Sequence, residues 1–418
     1  MIDFESYRLA NGLEVLLHHD PQRTVVTVNV LYRVGSRNDP PHRTGLAHLF
    51  EHLMFAGSKQ VPNFDDALQL AGGENNAVTS SDYTLYYDVL PADNLDTALW
   101  LESDRMRQLN FDARSLDNEK RIVIEEFRET CLEQPYGDLY HHLNGLIYRR
   151  HPYRWPVIGQ DISHIAGVTL PEVKTFYRQY YRPDNAILCL AGNFDPATVR
   201  QQVARWFGAI PPAAPRKDGP RPLPPEPPQT AARQLTVYGE VPSPVLYLHY
   251  RTVDRLHPDF PATDVLSFLL GGGRSSWLYR RLVRDTELYT EVSAGLNDNL
   301  EAGGILIEAR PSEDVPYETA REALYTTLRQ LREEGIGEGE LAKVLHKLEQ
   351  RNHYREADVS ERASELVFYA ALGEPDLINT EMDRYRRLTV EELNRVIREY
   401  LVPERRATLE YLSALPTP

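Results

Sequence analysis

Cysteine is almost missing from this chain: Cys131 and Cys189 are the only two among 418 residues. That excludes a disulfide framework, and neither lies in a Cys-x-x-Cys pair, so a thiolate metal site is excluded as well. Any metal here must rest on imidazole and carboxylate. Long apolar runs are missing too, none approaching the ~20 residues of a membrane-spanning helix. The opening residues, Met1-Ile2-Asp3-Phe4-Glu5, lack the basic-then-apolar pattern of a secretory leader. A cytoplasmic location with no membrane partner is therefore expected. Positive charge is the third shortage: 46 Lys and Arg face 61 Asp and Glu, a net charge of −15. Nucleic acid is not an expected partner, because binding phosphates asks for a basic surface. The remaining composition, 42% hydrophobic and 26% charged, is that of a globular protein. At this length two or more domains are expected.

Read in order, strands and helices mix. Tyr7–Ala10, the turn Asn11-Gly12 and Leu13–His18 spell a β-hairpin. Val25–Tyr32 is an apolar, β-branched run suited to a covered sheet, and Tyr83–Leu90 reads as another strand. Helical periodicity follows over Asp93–Leu109, Leu116–Cys131, Pro171–Tyr181 and Pro196–Trp206, with a buried strand at Ala186–Leu190. Residues 211–228 then hold nine of the chain's 30 prolines, a semi-rigid spacer that neither sheet nor helix interior tolerates. Beyond it the pattern restarts. Thr169-Leu170-Pro171-Glu172-Val173, with Tyr180 and Pro183, is matched 220 residues later by Thr389-Val390-Glu391-Glu392-Leu393, with Tyr400 and Pro403. Leu116–Arg128 likewise has a counterpart in Leu341–Arg351. The expectation is an α+β fold made by duplication. Two homologous domains, 1–210 and 231–418, flank a linker at 211–230, each an antiparallel sheet with packed helices.

The chemistry gathers in Thr44–Gly57. On a helix at ~100° per residue, His48, Glu51, His52 and Phe55 share one arc, while Leu46, Leu49, Phe50, Leu53 and Met54 fill the opposite side. Thr44 is the expected N-cap and Gly57 the stop. Two imidazoles one turn apart beside a carboxylate suit a metal ion, and His-x-x-Glu-His is the inverzincin order. A catalytic zinc takes three protein ligands, so a third must come from elsewhere. We assign it to Glu126 on the acidic helix Glu119–Glu129. Glu119, two turns earlier on the same face, stands behind as a hydrogen-bond partner that orients a ligand. Glu125 and Glu129 read as solvated surface. The helix near Thr263–Leu270 in the second half carries no histidine. Gly271–Ser276 reads as a tight turn, since it lacks the Gly-Lys-Ser/Thr end of a nucleotide loop.

His48-x-x-Glu51-His52 with Glu126 placed 74 positions after His52 resembles the pitrilysin/insulinase family of inverzincin metallopeptidases, in particular short bacterial members related to the mitochondrial processing peptidase. Gly45-Leu46-Ala47, Met54-Phe55-Ala56-Gly57-Ser58, Asn76-Ala77-Val78-Thr79-Ser80 with Tyr83 and Tyr86, and Gly271–Ser276 extend the resemblance over both halves. It implies one zinc ion per chain on His48, His52 and Glu126, with Glu51 as general base. It further implies that Arg310 and Tyr317, seven residues apart, hold the substrate carbonyl; without the resemblance they read as a strand-end salt bridge and a packed aromatic. Asn76, Ala77, Val78 and Thr79 would form an edge strand to which a peptide adds, and Phe55 would line a side-chain pocket. The implied protein is an endopeptidase acting on peptides inside a clam-shell chamber, and a homodimer. The alternative is a catalytically silent, peptide-binding subunit of the same architecture.

Overall fold

A computed structural model describes residues 1–58, 60–212, 223–297, 299–301 and 303–414. Residues 213–222 of the expected proline spacer therefore lie outside the described residues. Two compact units form, and neither is a continuous stretch of chain. One comprises Met1–Arg128, Trp155–Pro224 and Asn352–Thr380; the other comprises Glu129–Arg154, Pro225–Arg351 and Glu381–Pro418.

The first unit is built on a six-stranded sheet of β1 (Glu5–Arg8), β2 (Glu14–His19), β3 (Val25–Tyr32), β4 (Glu74–Thr79), β5 (Thr84–Pro91) and β6 (Ala186–Gly192), in the order β1-β2-β6-β3-β5-β4. The expected hairpin is β1–β2, with Gly12 at φ +93° in its turn. β3 lies in the interior of the sheet, covered on both faces, as its unbroken apolar run implies. Even its polar residues are enclosed: the Thr27 hydroxyl donates to Asn29 Oδ1 at 2.7 Å, and Asn29 Nδ2 donates to Ser364 Oγ at 3.0 Å. One face packs on the helix Val359–Ala371, where Leu16, Leu31, Ile187 and Cys189 meet Ala363, Leu366 and Val367. Four further helices matter for the site: α1 (Leu46–Phe55), α2 (Phe64–Leu70), α3 (Leu95–Arg107) and α4 (Ala113–Phe127). α3 packs against β3 and β5, and α1 lies against α4 and β4.

The second unit has five strands, β7 (Arg233–Gly239), β8 (Val245–Arg251), β9 (Tyr289–Asn297), β10 (Gly304–Pro311) and β11 (Arg406–Ser413), in the order β7-β11-β8-β10-β9. Its main core joins Leu246, Leu248, Ile305 and Ile307 to helices Phe260–Gly271, Tyr317–Glu334 and Val390–Tyr400. Helix α5 (Leu139–Ile147) adds Leu143 and Ile147 to Val245, Tyr247, Ala407 and Leu409 in a separate cluster.

Duplication is visible in matched pieces. Thr169 with Glu172, and Thr389 with Glu392, are both capping boxes. Each starts an 11-residue helix, which a short 3-10 turn and then a strand follow, β6 in one case and β11 in the other. The expected boundaries at 1–210 and 231–418 need correction, because segments cross between halves. Residues 129–154 of the first half belong to the second unit, and 352–380 of the second half belong to the first. Each crossing segment begins directly after one of the two matched helical stretches, 116–128 and 341–351. The physical reason is burial: the helix Val359–Ala371 covers the first sheet with its apolar face, as α5 does for the second. The sheets are also mixed. β2–β6 and β11–β7 run parallel, and the remaining pairs are antiparallel as expected. Among the described residues no helix is long and apolar enough to cross a membrane.

Candidate metal centre

α1 begins at Gly45, whose φ of +87° suits glycine, and where a Cβ would come within 2.6 Å of the Ile158 carbonyl oxygen. The expected N-cap, Thr44, does not cap. Its hydroxyl instead accepts from the Gln160 N–H and lies 2.8 Å from His164 Nδ1. Asp39 takes over, accepting from the N–H groups of Gly45 at 2.8 Å and Ala47 at 2.9 Å. Complete burial pushes the Asp39 carboxyl well above the usual range, more than these N–H groups pull it down. At the other end Gly57 follows the helix at φ +95°. Leu46, Leu49, Phe50, Leu53 and Met54 are buried as expected. Phe50 seats against Tyr181 and Phe176, with ring centroids 4.3 and 5.5 Å away, which fixes the back of the helix.

The opposite arc carries the chemistry. The His48 and His52 rings stand nearly perpendicular, 4.9 Å apart. α4 brings Glu126 to both: His48 Nε2 lies 3.7 Å from Oε1 and His52 Nε2 lies 3.4 Å from Oε2. α4 is held in place by Asp112, which accepts from the Ser115 N–H at 2.7 Å, and by the buried residues Leu116, Val123 and Phe127. A π-helical turn, Arg128–Leu132, follows directly. Glu119 lies on the far side of His52, its Oε2 3.9 Å from Nδ1. His52 is thus flanked by Glu126 at one ring nitrogen and Glu119 at the other. Glu125 pairs with Arg128 at the surface, and Glu129 is exposed.

These residues fit a zinc ion. One ligand atom from each of His48, His52 and Glu126 lies within 4.8 Å of the others, the sole such grouping of His, Cys, Asp and Glu among the described residues. Zinc bonds of about 2.0–2.1 Å in tetrahedral geometry place ligand atoms roughly 3.3–3.4 Å apart, close to the two imidazole–carboxylate distances here. The protonation states agree in part. Burial lowers the His48 pKa and favours the neutral ligand form, and a hydrogen bond from His52 lowers that of Glu126. For His52, burial opposes protonation, but Glu126, Glu51 and Glu119 outweigh it and raise the pKa. That negative field is one a dication satisfies. The buried Nδ1 of His48 makes no hydrogen bond to another described residue. Glu51 is not among the three. It accepts a hydrogen bond at Oε2 from the Thr79 hydroxyl, at the end of β4.

Comparison with known proteins matches this chain to a family. The model of Insulinase (Peptidase family M16) matches residues 14–161, and that of the Peptidase M16 inactive domain matches residues 167–348. A zinc protease of Helicobacter pylori, PqqE, is 31% identical over 402 residues, spanning 95% of this chain and 90% of the relative. This chain belongs to the M16 family. The crystal structure of a protease from Helicobacter pylori superimposes with a TM-score of 0.93 at 29% identity, over 99% of this chain and 100% of that one. That of pitrilysin does so with a TM-score of 0.79 at 20% identity, over all of this chain and 45% of the other, which shows a shared fold.

The M16 residues expected to contact substrate fall as follows. β4 is an edge of its sheet, with Asn76 and Val78 exposed, Ala77 buried and Thr79 half-buried. Phe55 is half-buried near Phe64 and Tyr86. Arg310 is the penultimate residue of β10, ion-paired with Glu308 at 2.6 Å and lying 5.0 Å from the Tyr136 ring. Tyr317 opens the next helix, and burial, then the Glu410 carboxylate, push its hydroxyl pKa up, so it stays protonated. Three features escaped the sequence reading: Asp39, the Thr79–Glu51 hydrogen bond, and a buried Glu102–Arg105 pair. Arg105 lies under Phe64 and Tyr86, 4.3 and 4.4 Å from their ring centres. Glu102 and Arg105 signalled themselves only as an i,i+3 pair, the pattern of an ordinary surface bridge, yet their side chains are 0% and 2% exposed.

Proposed function

We propose that this M16 chain is a zinc-dependent endopeptidase acting on peptides or unfolded polypeptide segments. The observation that carries the reading is the convergence of His48, His52 and Glu126 with a separate carboxylate, Glu51, on the same arc of α1. The zinc protease name of the Helicobacter relative adds support. His48, His52 and Glu126 would hold one zinc ion. When bound at such a three-ligand site, zinc activates water near neutral pH and polarises a carbonyl. Glu51 takes the proton of the attacking water and hands it to the departing amine. With Oε2 engaged by Thr79, Oε1 is the oxygen that does this. Arg310 and Tyr317, donors that stay protonated, are assigned to the substrate carbonyl as charge develops on it. The peptide pairs with the edge of β4 through its backbone, and Phe55 lines a side-chain pocket.

A silent subunit is the weaker reading. The family description "inactive domain" falls on residues 167–348, whereas residues 14–161 hold His48, Glu51, His52 and Glu126. The reading includes a homodimer, for which light scattering should return twice the chain mass. Its direct test is metal removal. A chelator should abolish peptide cleavage and added zinc restore it, and His48→Ala, His52→Ala and Glu126→Ala should each lose both zinc and cleavage. Cleavage that persists in metal-free protein would overturn it.

A further inference from the structure

A general base must stand within about 2.6–3.2 Å, heavy atom to heavy atom, of the atom whose proton it takes. Glu51 is a long side chain at a half-buried position, and no side chain of its own helix hydrogen-bonds it: His48 and His52 face Glu126, and Phe55 is apolar. The restraint comes from β4. Along that strand Asn75, Ala77 and Thr79 share one face, and Glu74, Asn76 and Val78 share the other, which is exposed. Thr79 is the last residue, paired with Thr84 of β5. The turn after it is locked by Ser80. The Ser80 Oγ accepts from the N–H groups of Asp82 and Tyr83 and donates to the Tyr83 carbonyl at 3.0 Å, and its own carbonyl accepts from the Ser36 N–H at 3.1 Å. A β-branched side chain on so fixed a backbone has little rotamer freedom. Its hydroxyl carries a single proton to donate, and gives it to Glu51 Oε2.

We propose that Thr79 is a positioning residue for Glu51: it holds the carboxylate by one oxygen and leaves the other for the proton in transit. This rests on the peptidase reading above and gives Thr79 a side-chain task distinct from lining the substrate edge. It also makes one strand, β4, serve both as peptide-pairing edge and as support for the base.

The test compares Thr79→Val, which keeps the shape and removes the donor, with Thr79→Ser, which keeps the donor. Thr79→Ala replaces the valine variant should that not fold. Thr79→Val is expected to lower kcat at least about tenfold with KM within about twofold and zinc content unchanged, and Thr79→Ser to stay within about threefold of wild type. In a non-cleaving Glu51→Gln background, adding Thr79→Val should leave the Kd for an unstructured peptide within about twofold. A rise in KM at constant kcat, a clear loss of peptide affinity in that background, or a serine variant as damaged as the valine one would each overturn the proposal. If wild type cuts nothing, the peptidase reading fails instead. Crystal structures then decide: one Glu51 conformer on Thr79 in wild type and several in Thr79→Val support the positioning role, and one shared conformer in both contradicts it.

Discussion

His52 is the residue on which the centre turns, with Glu126 at one ring nitrogen and Glu119 at the other. A carboxylate behind a ligating imidazole sets its orientation and basicity, and losing such a partner costs about 10–100-fold in metal affinity. Glu119→Gln should weaken zinc binding by that factor in a chelator competition, while Glu125→Gln, at the surface, should leave it unchanged. Below Phe55 a second set of charges is closed off from water. Burial, and then the charge of Glu102, push the Asp88 carboxyl well above its ordinary range, while Arg105 stays paired with Glu102. Neutralising Glu102 lets Asp88 ionise beside Arg105 and take over part of the pairing. Glu102→Gln alone should therefore cost less than the combination with Asp88→Asn, which strands a buried guanidinium at a cost of about 3–5 kcal/mol. Urea unfolding of both variants checks this, and equal costs would contradict it. At this scale what could be read early was what is local: the His48–His52 spacing and the arc of α1 lie within two turns of helix. Thr79 and Asp88 were illegible because their partners, Glu51 and Glu102, lie on other elements and are brought up by packing; Asp39 caps Gly45 and Ala47 across a loop whose path periodicity does not describe.

Among the elements, β8 and β10 carry a consequence for acid stability. His249 on β8 is fully enclosed, its Nε2 makes no hydrogen bond to another described residue, and burial lowers its pKa to about 3. Gly304 on β10 makes the room, since a Cβ there would stand 2.2 Å from the imidazole Cε1. A histidine with a depressed folded pKa is protonated first in the unfolded chain. Its contribution is therefore fully present above about pH 6.5 and is lost as pH falls from there toward about 3, by at most about 5 kcal/mol. Unfolding followed over that window should show the loss, and His249→Gln should flatten it; an unchanged slope in the variant would contradict the assignment. The strands themselves were legible because β-branched runs such as Val25–Tyr32 and the Asn11-Gly12 turn encode them locally. The parallel pairs β2–β6 and β11–β7 were not, since register and direction depend on connections that periodicity does not describe.

Over the whole chain, the duplication could be read from the matched segments Thr169–Val173 and Thr389–Leu393, and the presence of two units from length and the proline run. The crossing of segments 129–154 and 352–380 could not. Val359–Ala371 and Leu139–Ile147 look like ordinary amphipathic helices, and nothing in such a helix says which sheet its apolar face will cover. The candidate metal site lies in the unit that keeps the His-x-x-Glu-His helix, and the other unit's helix Phe260–Gly271 has no histidine. The central claim is that this M16 chain couples a zinc site on α1 and α4 to Glu51 as base. Its most direct measurement is cleavage of a mixed library of unstructured peptides by wild type and by Glu51→Gln, with bound zinc quantified in both. The account predicts one zinc per chain in each, cleavage by wild type, and a loss of about 10²–10⁴-fold in the variant. Zinc held by both and cleavage by neither, or equal cleavage by both, would contradict it.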